Sequence, residues 1–308
     1  MKMLVTGGAG FVGSNLAEML VNRGQDVVVL DNFSLGREEN LCSIKNKITV
    51  VKGDIRDRDL MMKITKGVDV IFNQAAASSR PMFLKDLKDA LSVNIDGFVN
   101  VLDSARKNGV KRVVYASTSS LYGNNTPPLK ESMKIEPVNF YASSKLMNEH
   151  IASCYSTEHG IETIGLRYMS VYGPREEGKG IYANLVSQFL WSMKKNEQPV
   201  IYGDGKQTRD FVYVKDVCQA NILAATSKKK ISCNVFNVGT GKATSLNDIV
   251  SMINSLLGRK IKPKYVKNTV KNYIFMQQAD IAKARKELDY SPKYDLKHGI
   301  KEIISSPQ

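Results

Sequence analysis

The stretch VTGGAGFVGSNLAEML, Val5 to Leu20, decides how the rest of the chain is read. With the preceding Lys-Met-Leu it opens as an apolar strand, and after Gly13 its apolar residues take up helical spacing. Between the two lie Gly7, Gly10 and Gly13 at three-residue intervals, and Gly8, Gly10 and Gly13 also satisfy the pattern GxGxxG. A glycine turn joining a strand to a helix lets the backbone come close to a pyrophosphate, which then meets the positive end of the helix. Gly7, Gly10, Phe11, Val12 and Gly13 are therefore the expected contacts of a dinucleotide.

The next strand, DVVVLD, ends at Asp31, where such a site needs a carboxylate. An aspartate there accepts hydrogen bonds from both ribose hydroxyls and repels a 2′-phosphate, which predicts NAD rather than NADP. Asn32 follows it where an arginine would suit NADP, although Arg37 is close by, and Gly36 falls in the same segment. A third strand, ITVVKGD, brings Asp54 and Ile55 beside the adenine. A fourth, VDVIFNQAA, ends in Gln74, Ala75 and Ala76, small enough to let the middle of the cofactor lie against the sheet.

The alternation continues. DALSVNIDGFVNVLDSARKNG reads as a helix, KRVVYAST as a fifth strand and IETIGLRYMSVYG as a sixth. Near-continuous apolar strands separated by helices predict a parallel sheet covered on both faces, with right-handed connections: an α/β, doubly wound, Rossmann fold. After Gly173 the texture changes to a polar loop, a helix within IYANLVSQFLWSMKKN, and PVIYGDGKQTRDFVYV, read as strand, turn, strand. The expected domains are a cofactor-binding unit over 1–170 and a smaller C-terminal α/β substrate-binding unit over 171–308. Residues near 210–240 are expected to pack back on the sheet, and the tail ISSPQ to be loose.

The start, MKMLVTGGAGFVG, lacks the layout of a signal peptide, and no apolar run approaches the roughly 20 residues that span a bilayer. A soluble, cytoplasmic protein is the expectation. Cys42, Cys154, Cys218 and Cys233 are scattered without a CxxC pair or a histidine at ligand spacing, so neither a metal nor a disulfide is predicted. The formal charge of +14 comes from lysines spread over helix surfaces. The one tight run, Ser227 to Lys230, has no interleaved aromatics, so no nucleic-acid partner is expected. A positive field would instead draw in a substrate carrying phosphates.

Two further segments bear on chemistry. YASTSSLYG, Tyr115 to Gly123, crowds hydroxyls at the end of the fifth strand, and NFYASSKLMNE, Asn139 to Glu149, sets Tyr141 one helical turn before Lys145. An adjacent cation stabilises a phenolate, which brings a phenol of pKa near 10 closer to use as a base. Together with the glycine turn, Asp31 and LRYMSVYGPRE, Leu166 to Glu176, these segments resemble the extended short-chain dehydrogenase/reductase superfamily, and within it the nucleotide-sugar epimerases and dehydratases. The likeness covers nearly the whole chain and is greatest to UDP-glucose 4-epimerases.

The resemblance implies Tyr141 as acid/base, Lys145 as the residue that holds the ribose and lowers the tyrosine's pKa, and Thr118 as the hydroxyl on the reacting oxygen, with Ser117 and Ser119 as neighbours that could serve instead. It also implies Asn94 near the nicotinamide side, with a plain helix-surface amide as the alternative, and Tyr168 against the nicotinamide, with strand packing as the alternative. Dehydratases of the family carry an Asp-Glu pair after the threonine, and decarboxylase-like relatives a glutamate; here stand Ser119 and Ser120. What remains is inversion at C4 of a UDP-hexose. Arg209 would grip the diphosphate, unless it pairs with Asp210 or Asp216. Asn184 and Leu185 would open the helix beside it, Tyr202 would flank the uracil, and Ser170 would face the sugar. An ADP-heptose 6-epimerase is the nearest alternative activity, and a non-catalytic NAD-binding sensor the alternative of another kind. Family members pair through two helices per subunit, so a homodimer is expected.

Overall fold

The computed structural model describes residues 1–229, 231–269, 271 and 273–305, so Lys230 and the last residues of the tail lie outside the described residues. Its centre is a parallel sheet of seven strands. In chain order the first six are β1 (Lys2–Thr6), β2 (Asp26–Asp31), β3 (Ile48–Lys52), β4 (Val70–Asn73), β5 (Arg112–Thr118) and β6 (Glu162–Tyr168). They are arranged as β3-β2-β1-β4-β5-β6, so the order reverses between β1 and β4, and a ligand cleft opens there above the carboxyl ends of the strands.

Alternate residues of each strand enter opposite cores. Met3 and Val5 join Val27 and Val29 under α1 (Phe11–Val21), while Leu4 joins Val28 and Leu30 on the other face. That second face carries α2 (Arg58–Ile64), then α3 (Arg80–Lys85) and α4 (Leu87–Asn94) toward its end, α5 (Asp96–Lys107) and α6 (Phe140–His159). Burial on both faces is why the strands read as continuous apolar runs rather than alternating ones.

The expected helix over 89–109 is two helices, broken at Ile95. Gly97 passes so near Ile55 that a Cβ would lie 2.5 Å from its side chain, so the start of α5 packs closely on the loop after β3. The expected sixth strand also divides. Beyond Tyr168 the chain leaves the sheet, and β7 (Ser170–Tyr172) pairs elsewhere.

After β7 come α7 (Leu185–Lys194), β8 (Val200–Tyr202), β9 (Thr208–Arg209), β10 (Phe211–Tyr213), α8 (Val214–Thr226), β11 (Cys233–Val238), β12 (Thr244–Ser245), α9 (Leu246–Leu257), β13 (Lys264–Val266), α10 (Ala282–Leu288) and α11 (Leu296–Ser305). The expected strand, turn and strand at 199–214 are present as β8, then β9 and β10, but they do not pair with one another. β8 pairs with β13, β9 with β12 and β10 with β7, because Ile201 and Phe211 to Tyr213 are buried and cannot stand on an exposed ribbon. β11 returns to the main sheet as the neighbour of β6, and α8 packs beside α1.

Candidate active site

A cavity of about 1030 Å³ lies over the strand ends, floored by the glycine turn and reaching Arg209 and Tyr273 at its far end. The turn is built for close approach. Gly7 takes φ +64°, and a Cβ on Gly13 would lie 2.1 Å from the Gly7 carbonyl oxygen. Only a chain without those side chains lets α1 start against the strand end. No side chain caps α1 at Gly10, so its first N–H groups and its positive end remain for an anion, with Phe11 and Val12 lining the cavity there.

Asp31 is buried beneath the turn. Its carboxylate accepts from Ala9 N at 2.9 Å and from Phe33 N at 2.8 Å. Burial pushes its pKa up, while these backbone bonds pull it down. Gly36 passes so near that a Cβ would meet Oδ1 at 2.7 Å. Asn32 donates to Asp54 at 3.0 Å, and a bond from Arg56 holds the Asp54 carboxyl down to about 2. Arg56 also reaches Asp89 at 2.7 Å; it lines the cavity beside Asp54 and escaped the sequence reading. Ile55, Ala75 and Ala76 line the cavity where expected. This cradle suits a dinucleotide with an unphosphorylated ribose: free helix N–H groups, space where side chains would clash, and a carboxylate at the ribose position.

Gln74 is held by a buried triangle. The Tyr168 hydroxyl donates to Gln74 Oε1 at 3.1 Å and accepts from Asn221 Nδ2 at 2.7 Å, and Gln74 Nε2 donates to Asn221 Oδ1 at 3.1 Å. Tyr168 lines the cavity with its phenol pushed up by burial, so it is both a wall and an anchor.

Asn94 does not line the cavity, nor is it a surface amide. Its side chain exchanges bonds with Ala77 N (2.8 Å) and Ala77 O (3.2 Å) and donates to Ser144 Oγ at 3.0 Å, so it ties the loop after β4 to α6.

Tyr141 and Lys145 project from the first turns of α6, whose N-cap Asn139 accepts from Ala142 N. The Thr118 hydroxyl lies by the Tyr141 phenol, and the ring packs on Phe83. Lys145, 3 % exposed, donates to the Ala116 carbonyl at 3.0 Å, and burial brings its pKa down to about 8. The neighbours of Thr118 are engaged elsewhere: Ser117 donates to Glu149 at 2.6 Å, and Ser119 Oγ accepts from Gln277 at 3.3 Å. Of the three hydroxyls, Thr118 is the one that meets the phenol. Burial pushes the phenol above its ordinary value despite the lowering effect of Thr118. Lysine alone therefore does not make Tyr141 a ready base.

At the far end, Ser170, Asn184 and Leu185 line the cavity. Asn184 caps α7, and its N–H donates to Glu176 at 2.7 Å, a carboxylate fully buried beside Ser187 and Lys179. Arg209 lines the cavity over the Tyr273 ring and donates to the carbonyls of Thr208 and Phe275. Asp210 and Asp216 do not pair with it; they accept backbone N–H groups of Gly241, Ala279, Lys293 and Tyr294. Tyr202 lies outside. In β8 the middle residue, Ile201, points inward and Tyr202 is half exposed, while Tyr273 and Ile274 line the cavity instead.

The model of the NAD dependent epimerase/dehydratase family matches residues 3–239. The chain belongs to that family. A UDP-glucose 4-epimerase of Mycolicibacterium smegmatis is 34% identical over 311 residues, covering 99% of this chain and 97% of the relative. The structure of UDP-glucose 4-epimerase from Thermotoga maritima with UDP-glucose superposes with a TM-score of 0.92 at 32% identity, covering 99% and 97% of the two chains. That of UDP-glucuronic acid 4-epimerase from Bacillus cereus, in complex with UDP-glucuronic acid and NAD, gives 0.90 at 30% identity, covering 98% and 97%. This member of the epimerase/dehydratase family therefore has the NAD-dependent fold that its glycine turn and Asp31 indicated. Arg56, Tyr273 and Gln277 are among the wall residues that sequence reasoning missed, as is Asn221, which bonds to Tyr168 from behind the wall; Tyr273 and Gln277 lie in the segment VKNYIFMQQAD.

Proposed function

We propose that this chain inverts C4 of a UDP-sugar through a transient 4-keto sugar. The observation that carries the proposal is that the Tyr141 phenol, Thr118 and Lys145 line the same cavity as the glycine turn. NAD, when bound, supplies the hydride-accepting and hydride-returning chemistry and a positive ring charge near the phenol. Tyr141 takes the proton of the C4 hydroxyl as base and gives it back as acid, the two roles linked by one oxygen. Thr118 holds the reacting oxygen against the phenol. Lys145 adds positive charge that favours the phenolate. Arg209, with its planar fork and no carboxylate partner among the described residues, suits the diphosphate. Ser119 and Ser120 line the wall where an elimination would need an acid and a base, which supports plain inversion over dehydration.

Leu84, Leu87, Leu91, Phe140 and Met147 are exposed on α3, α4 and α6, which pack on one another. Such a face supports a homodimer through these helices. The direct test is to incubate the protein with UDP-glucose, UDP-N-acetylglucosamine and UDP-glucuronic acid and follow C4 epimers by NMR. Turnover of at least one is expected. No product from any of them, with turnover of an ADP-heptose, would move the assignment to C6″.

A further inference from the structure

Tyr141, Lys145 and Glu149 recur at four-residue intervals along α6, and each meets one of three consecutive residues at the end of β5. The Thr118 hydroxyl lies by the Tyr141 phenol on the cavity wall, the Ala116 carbonyl accepts from Lys145, and the Ser117 hydroxyl donates to Glu149. Tyr141 and Lys145 line the cavity, whereas Glu149 is buried behind them. Arg167 of β6 grips its carboxylate through Nε at 2.9 Å and Nη2 at 2.7 Å. The same guanidinium donates to the Tyr122 hydroxyl at 2.9 Å, which donates to Asn237 of β11 at 2.7 Å. The buried Tyr115 phenol of β5 also feels the Glu149 charge. A buried ion pair is an inefficient source of stability, so its place behind a reacting centre asks for another reason.

We propose that Ser117 and Glu149 are positioning residues, whose hydrogen bond sets the register of α6 on the end of β5 so that Thr118 meets the Tyr141 phenol with Lys145 alongside. β5 is held by its pairing with β6 as far as Thr118 and Tyr168. The helix has no such ladder and takes its register from side-chain bonds. The bidentate Arg167 fork gives Glu149 one orientation, and the carboxylate then gives Ser117 one place. A bond of 2.6 Å tolerates little sliding.

The proposal rests on the reaction above and is tested by Ser117→Ala, which leaves the Glu149–Arg167 pair intact. Its kcat should fall about tenfold or more with KM within about twofold, as misplacement of reacting groups requires. In the NAD-loaded protein, the tyrosinate absorption that disappears in Tyr141→Phe should appear at higher pH. Glu149→Gln should act in the same direction, and the double variant should be no worse than the worse single one, since the two side chains act as a unit. A Ser117→Ala protein with wild-type kcat and unchanged tyrosinate titration overturns the proposal, whatever its melting temperature. If Glu149→Gln does not fold, Ser117→Ala decides alone. Wild-type protein that epimerises no UDP-sugar would refute the function, while the tyrosinate titration would still judge the positioning role.

Discussion

Tyr141 is asked to be a base while burial pushes its phenol upward, and its cationic neighbour is itself weakened by burial to a pKa of about 8. That combination has a measurable consequence for Lys145. An ammonium buried without a carboxylate costs stability, by roughly 3 kcal/mol at 1.36 kcal/mol per pKa unit. The sign follows from protons bound. Below about 8 the lysine is charged in both folded and unfolded chains, so the cost is fully present. Between there and the ordinary lysine value the unfolded chain holds more protons, so stability rises with pH. Lys145→Met should therefore melt no lower than wild type at neutral pH, an advantage that shrinks as the pH is raised, while kcat falls about a hundredfold and the acid fall of kcat moves to higher pH. Thermal melts across the pH range, with turnover on the same samples, check both halves. The Tyr141–Lys145 pair was legible because its partners are one helical turn apart. Asn94 and Glu149 were not, since Ala77, Ser144, Ser117 and Arg167 reach them only through the tertiary fold.

The glycine turn and the far end of the cavity make opposite demands on side chains. Gly13→Ala would place a Cβ 2.1 Å from the Gly7 carbonyl, so α1 must shift away from the strand end. Overpacking of that kind costs about 1–3 kcal/mol, and NAD affinity by calorimetry should fall about tenfold or more. At the far end of the cavity, Arg209→Met should raise KM for the UDP-sugar about tenfold with kcat little changed, whereas Tyr202→Ala should leave KM within about twofold. An equal effect of the two would contradict the placement of Tyr202 outside the cavity. The strands of the central sheet could be read from sequence because burial on both faces makes them continuous apolar runs. β8, β9 and β10 could not be paired correctly, because their partners β13, β12 and β7 lie far along the chain and each strand is only two or three residues long.

The proposed assembly and the proposed catalysis meet on α6, whose inner face carries Tyr141 and Lys145 and whose outer face exposes Phe140 and Met147. If these residues bury against a second copy together with Leu84 and Leu91, then Leu91→Glu with Met147→Glu should convert a dimer to a monomer in sedimentation. Retention of the dimer would place the interface elsewhere. Among the described residues no helix is long and apolar enough to cross a membrane, and no cluster of ligating side chains could hold a metal. The proposed chemistry turns on one phenol that lines the cavity. NMR of UDP-sugar turnover by Tyr141→Phe measures it directly: the variant should lose about a thousandfold in kcat while binding NAD and UDP-sugar within a few-fold of wild type. Near-normal epimerisation by that variant would contradict the assignment of Tyr141 as the acid/base.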